Sequence, residues 1–106
     1  MSEEEQDFLE EIIAERTKKN PYFPEMLEAQ ERKHELLEAL AARRVELGLS
    51  RAKVAKRLGM SAYALESLER GEANPPLAIV LHLASILGQT LELRPISSPE
   101  EATSAR

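Results

Sequence analysis

Residues 49–71 read Leu49-Ser50-Arg51-Ala52-Lys53-Val54-Ala55-Lys56-Arg57-Leu58-Gly59-Met60-Ser61-Ala62-Tyr63-Ala64-Leu65-Glu66-Ser67-Leu68-Glu69-Arg70-Gly71. Val54, Ala55 and Leu58 fall on one face of a helix. Ser50 ahead of them can cap it, because its hydroxyl accepts from an amide that the first turn leaves unpaired. Gly59 ends that helix, since glycine enters the left-handed conformation of a helix exit without steric cost. Ser61 then caps a second helix carrying Leu65 and Leu68, and Gly71 closes it.

Two helices this short cannot hold their own against water and need neighbours from the rest of the chain. A tight glycine-containing turn between such helices is the signature of the helix-turn-helix motif, whose second helix can enter a DNA major groove. The charge distribution bears on this. The chain as a whole carries a net charge of -5, but residues 41–60 hold Arg43, Arg44, Arg51, Lys53, Lys56 and Arg57 against Glu46 alone. Residues 1–40, by contrast, hold 12 acidic and 5 basic residues. Positive charge is concentrated where DNA would approach, although a charged helix face is also what plain solvation produces.

Working outward, Ser2 and Glu5 have the form of a capping box, and Phe8, Leu9, Ile12 and Ile13 follow at helical spacing, predicting a helix from Glu3 to Lys19. Asn20-Pro21-Tyr22-Phe23-Pro24 interrupts it, and Pro24 suits the first turn of a long helix reaching about Leu47 before Gly48. The middle of that helix, Gln30 to Glu35, is polar all round, so it is expected to be exposed or to rest on the first helix. After the loop Glu72-Ala73-Asn74-Pro75-Pro76 comes a helix from Leu77 to Leu87, apolar around most of its circumference. Such a helix is buried on more than one side, and in a chain of 106 residues the second side is expected to be a subunit interface. Thr90 to Ile96 alternates, with Leu91, Leu93 and Pro95 on one side and Glu92, Arg94 and Ile96 on the other, as in a short edge strand or extended arm. Ser97 to Arg106 is small, polar and charged, and is expected to be disordered.

Scarce aromatics, no Trp and few β-branched runs point to an all-α fold with an aliphatic core. With no Cys there is no disulfide framework, thiolate nucleophile or thiolate metal site. No apolar run reaches the length of a membrane span and the N-terminus lacks a signal core, so a cytoplasmic protein without membrane contact is expected. Glu31 and His34 have the Glu-x-x-His spacing of helical di-metal sites, but the motif occurs once where such sites need it twice with further carboxylates. No metal or cofactor is expected, and no catalytic constellation is present.

The order Leu49, Ser50, Ala55, Leu58, Gly59, Met60, Ser61, Leu65, Leu68, Glu69, Arg70, Gly71, then Asn74-Pro75-Pro76-Leu77 and Leu81, Leu83, Ala84, Leu87, Gly88, resembles the Xre-type, phage-repressor-like helix-turn-helix family over about residues 36 to 88. The resemblance implies a compact bundle, usually a homodimer, acting on double-stranded DNA as a repressor or antitoxin, and it pairs Arg44 with Glu69 inside the domain. Ala62, Tyr63, Glu66 and Ser67 on the second helix are the candidate base contacts, with Tyr63 and Ser67 the best readers, and Arg51, Lys53, Lys56, Arg70 and Asn74 are the candidate phosphate contacts, Arg51 and Arg70 the strongest. The sequence departs from the family pattern at Arg51, where Gln is usual, and at Ala62 and Glu66, where polar or small residues usually meet bases or backbone. Ile12-Ile13-Ala14-Glu15-Arg16-Thr17, Asn20-Pro21, Phe23-Pro24 and Thr90-Leu91-Glu92-Leu93 look like the flanks of HigA-type antitoxins, which inhibit a small basic ribonuclease toxin and repress their own operon.

The expected organisation is therefore an N-terminal amphipathic helix and Pro-containing linker over 1–23, a helix-turn-helix domain with a dimerising C-terminal part over 24–96, and a tail over 97–106. Ile79, Leu83, Ile86, Leu91 and Leu93 are the expected dimer contacts. The expected function is a sequence-specific DNA-binding transcriptional regulator. The alternative is a protein-interaction module that keeps the fold with little DNA affinity.

Overall fold

A computed structural model of the protein describes residues 3–96, which form five helices: α1 Glu3–Lys19, α2 Phe23–Glu46, α3 Arg51–Leu58, α4 Ala62–Glu69 and α5 Leu77–Ile86. The fold is all-α, a helix-turn-helix bundle preceded by an extra helix. The expected capping role of Ser2 and the tail over 97–106 lie outside the described residues.

The turn between α1 and α2 is held by Asn20, whose side-chain oxygen accepts from Tyr22 N at 3.0 Å and whose carbonyl accepts from Phe23 N at 3.0 Å. This is the short-range bonding that makes Asn a turn former. The Arg16 guanidinium lies 5.7 Å from the centre of the Phe23 ring, a cation–π contact across the same turn. Pro24 stands in the first turn of α2, where its missing N–H removes no helical bond.

At 24 residues α2 serves two tasks. Its first half carries α1, with Ile13 and Leu27 lining a shallow hollow beside Gln30, Glu31 and His34. Its second half enters the core through Leu37 and Leu40. The polar middle does more than meet water or α1. Lys33 Nζ donates to Asn74 Oδ1 at 2.9 Å, and the His34 ring lies so close to Gly71 that a Cβ there would collide with it. These contacts fix the α4–α5 loop to α2.

The core is aliphatic: Leu37 and Leu40 from α2, Val54, Ala55 and Leu58 from α3, Leu65 and Leu68 from α4, and Val80, Leu83, Ala84 and Leu87 from α5 and its end. Leu36, Leu49, Met60, Ile79, Ile86 and Leu91 pack on it from outside. Two expectations need correction. Leu83, expected at a subunit interface, is only 1 % exposed within the single chain and has no surface left to offer. The apolar circumference of α5 is also not buried all round, since Leu77 and Leu81 are exposed while Ile79 and Ile86 are half-buried.

The strand expected over Thr90–Ile96 is not formed. Residues 90–95 have no regular secondary structure, and no backbone hydrogen bond involves residues 90–96 among the described residues. A strand exists only by pairing, no second strand is present among the described residues, and Pro95 has no N–H to donate.

Candidate nucleic-acid interface

The α3–α4 unit is fixed at each end by side-chain caps and a glycine exit. Ser50 Oγ accepts from Lys53 N at 3.2 Å, and Ser61 Oγ accepts from Ala64 N at 3.0 Å. At Gly59, with φ +76°, Gly59 N donates to Lys56 O and Met60 N donates to Ala55 O, the paired bonds of a Schellman motif, while Met60 packs against the core. Only residues 59–61 separate the two helices, so burial of Leu65 and Leu68 determines which face of α4 points outward. That face carries Ala62 and Tyr63, both exposed and Tyr63 at 77 %, with Glu66 and Ser67 half-buried beside them.

Lys53, Lys56 and Arg57 project from α3, exposed and with no ion pair among the described residues. The other expected phosphate contacts are engaged within the chain. Arg70 Nη2 lies 2.6 Å from Glu66 Oε1, one helical turn away, so the acidic residue on the outward face of α4 is locally neutralised. Asn74 accepts from Lys33 through its oxygen, and its amide N–H groups have no partner among the described residues.

Beneath this face lies a buried ion cluster. Arg44 Nε donates to Glu69 Oε2 at 2.6 Å, Arg44 Nη2 to Glu69 Oε1 at 3.2 Å, and Arg44 Nη1 to the Leu49 carbonyl at 2.8 Å. Arg51 Nε donates to Glu69 Oε1 at 2.8 Å. Burial pushes the Glu69 carboxyl upward, but the hydrogen bonds from Arg44 and Arg51, and the charges behind them, outweigh it and hold the group below the usual carboxylate range. The hydrogen bond to Glu69 in turn raises Arg51 above its ordinary value, so it stays protonated. No buried side-chain nitrogen or oxygen among the described residues lacks a hydrogen-bond partner, as a buried charge requires.

The sequence marks Arg51 only as a phosphate contact, because nothing local signals a bond spanning 18 residues and two helices. Its side chain is half-exposed, and only Nε is used, so both terminal amines are without a partner among the described residues. The Glu66–Arg70 pair, in contrast, could be read directly from its i,i+4 spacing.

Of the expected dimer residues, Leu83 is buried in the core, Ile79, Ile86 and Leu91 pack half-buried on its outside, and Leu93 is exposed. Ile79 and Ile86, seven apart, share one side of α5, whereas Leu91 lies with Leu36 and Leu40 against α2 and Leu93 stands fully exposed. His34 pairs with Glu38 at 3.0 Å rather than with Glu31, and among the described residues no group of His, Asp or Glu is arranged to hold a metal ion. Among those residues no helix is long and apolar enough to cross a membrane.

A capped pair of short helices, a glycine-closed turn, an outward tyrosine and adjacent unpaired lysines define a DNA-binding regulator of the helix-turn-helix class. A family model described as a helix-turn-helix domain matches residues 35–95, more than half of the chain, and the protein belongs to that family. No curated protein and no solved structure matches it.

Proposed function

We propose that this protein is a sequence-specific transcriptional repressor that binds double-stranded DNA as a homodimer, with α4 in the major groove. The observation that carries the reading is the juxtaposition of an exposed Tyr63 on α4 with unpaired Lys53 and Lys56 on α3. Phosphate contacts position a protein and base contacts specify its site, and the two helices divide those tasks. Tyr63 can meet a thymine methyl through its ring or a base edge through its hydroxyl, and Ser67 can hydrogen-bond either kind of pair. Ala62 supplies only apolar contact. Glu66, tied to Arg70, can accept from a cytosine amino group. Arg51, Lys53 and Lys56 contact phosphate, with the free donors of Arg70 and Asn74 at the rim.

The test is selection of bound sequences from a random DNA pool, followed by titration at several salt concentrations. Tyr63→Ala relaxes preference at one base position, costing about 1–3 kcal/mol there. Lys53→Ala weakens all sequences alike and flattens the salt slope by about one unit per site. A selection that returns no preferred sequence, with both variants binding as wild type does, would sink this reading.

We extend the proposal to an antitoxin role in a HigBA-type pair. In this reading the acidic N-terminal helix meets a small basic ribonuclease, opposite charges steering the encounter. Residues 1–40 hold 12 acidic residues and 5 basic ones, and Phe8, Leu9 and Ile13 are exposed on α1 among them. The second reading, a partner-binding module with little DNA affinity, draws support from the carboxylate of Glu66 on the outward face of α4 and from the internal pairing of Arg51 and Arg70. Pull-down of the native protein with its promoter fragment present separates the readings, since a partner protein recovered without DNA favours the second.

A further inference from the structure

The segment after Gly88 is the one part of the described chain that alternates like a strand yet pairs with nothing. No backbone group of residues 90–96 is hydrogen-bonded among the described residues. Leu91 is half-buried beside Leu36, Ala39 and Leu40 of α2, while Leu93, two residues on, is fully exposed. Glu92 and Arg94 are exposed and form no ion pair among the described residues.

We propose that residues 91–95 pair with the same residues of a second copy of this chain as a two-stranded antiparallel ribbon centred on Leu93 opposite Leu93. The proposal rests on the dimeric reading above and names the element that makes the dimer.

The charges favour this register. Residues directly opposite in an antiparallel pair point to the same side, so centring on Leu93 sets Glu92 of each copy against Arg94 of the other and Leu91 against Pro95. Centring on Glu92 sets two glutamates face to face, and centring on Arg94 sets two arginines face to face; both are repulsive. A slip of one residue puts Leu93 opposite Glu92 and mixes apolar and charged side chains on one side. Only the Leu93-centred register gives two opposite-charge pairs on one side and an unbroken apolar row on the other.

Pro95 is consistent with the same register. Opposed pairs alternate between those that exchange hydrogen bonds and those that do not, and Pro95, lacking an N–H, belongs in the second kind. Leu91–Pro95 and Leu93–Leu93 are then non-bonded pairs, and the two Glu92–Arg94 pairs carry the backbone bonds. Leu91 faces the apolar hollow of its own bundle, so the apolar row lies inward and the charged row meets water.

The chain has no Cys, which makes a cross-linking test clean. A non-hydrogen-bonded pair holds its Cα atoms about 4.5 Å apart, within disulfide range. Full-length Leu93→Cys is expected to form a covalent dimer under oxidised glutathione about tenfold faster than Glu92→Cys or Arg94→Cys, whose identical positions lie too far apart in this register. Glu92→Arg weakens dimerisation about tenfold, two cross-strand pairs becoming repulsive, and Glu92→Arg with Arg94→Glu restores it. If sedimentation equilibrium shows a dimer but Leu93→Cys has no advantage or the double exchange fails to rescue, the ribbon is overturned and the dimer stands. A protein that stays monomeric at concentrations saturating DNA overturns both, and leaves DNA binding itself intact.

Discussion

Glu69 holds two guanidinium groups from two different helices, one buried and one facing outward. Removing its charge leaves Arg44 uncompensated in the interior, so Glu69→Gln is expected to lower stability by about 3–5 kcal/mol in a denaturant titration. The pH dependence has a definite sign. The folded carboxyl titrates below its unfolded value, so the unfolded chain takes up the proton first. The stability it contributes is complete above about pH 4.3, the unfolded value, and is lost as pH falls through the folded one. A thermal melting series from pH 6 to pH 2 should therefore show a shallower acid limb for Glu69→Gln than for wild type. The Arg44 contact follows from the family resemblance. The Arg51 contact does not, because spacing carries no information about which side chains meet across 18 residues.

Among the elements, the helix ends were the most legible, because their chemistry is local. Ser50, Ser61, Gly59 and Gly71 each act within a few residues of their own position, and the structure places them at the ends of α3 and α4. What sequence did not disclose is the difference between two glycines with nearly equal φ. A Cβ at Gly59 would meet open space, whereas one at Gly71 would strike the His34 ring. Gly59→Ala is expected to lose about 1–2 kcal/mol from the left-handed conformation alone. Gly71→Ala should lose more, and adding His34→Ala should recover the excess, a coupling that a double-mutant cycle on thermal stability would measure. The arm over residues 90–96 was illegible for the opposite reason. Alternation specifies a face, but the bonds that make a strand belong to its neighbour.

At the scale of the whole molecule the chain separates into a bundle that makes its own core and a helix that contributes nothing to it. No core residue comes from α1, and its packing is against the first half of α2. A chain beginning at Phe23 is therefore expected to unfold cooperatively with a loss below about 1 kcal/mol, or about 8 °C in Tm, as followed by circular dichroism. Loss of cooperativity would show that α1 is integral to the fold. The overlong α2 also has a hydrodynamic consequence. The radius of gyration is 17.2 Å, where a compact chain of this length has about 13 Å. With extents of 45 × 39 × 22 Å, the molecule will tumble and elute as a heavier particle than it is, so subunits must be counted by mass rather than by apparent size.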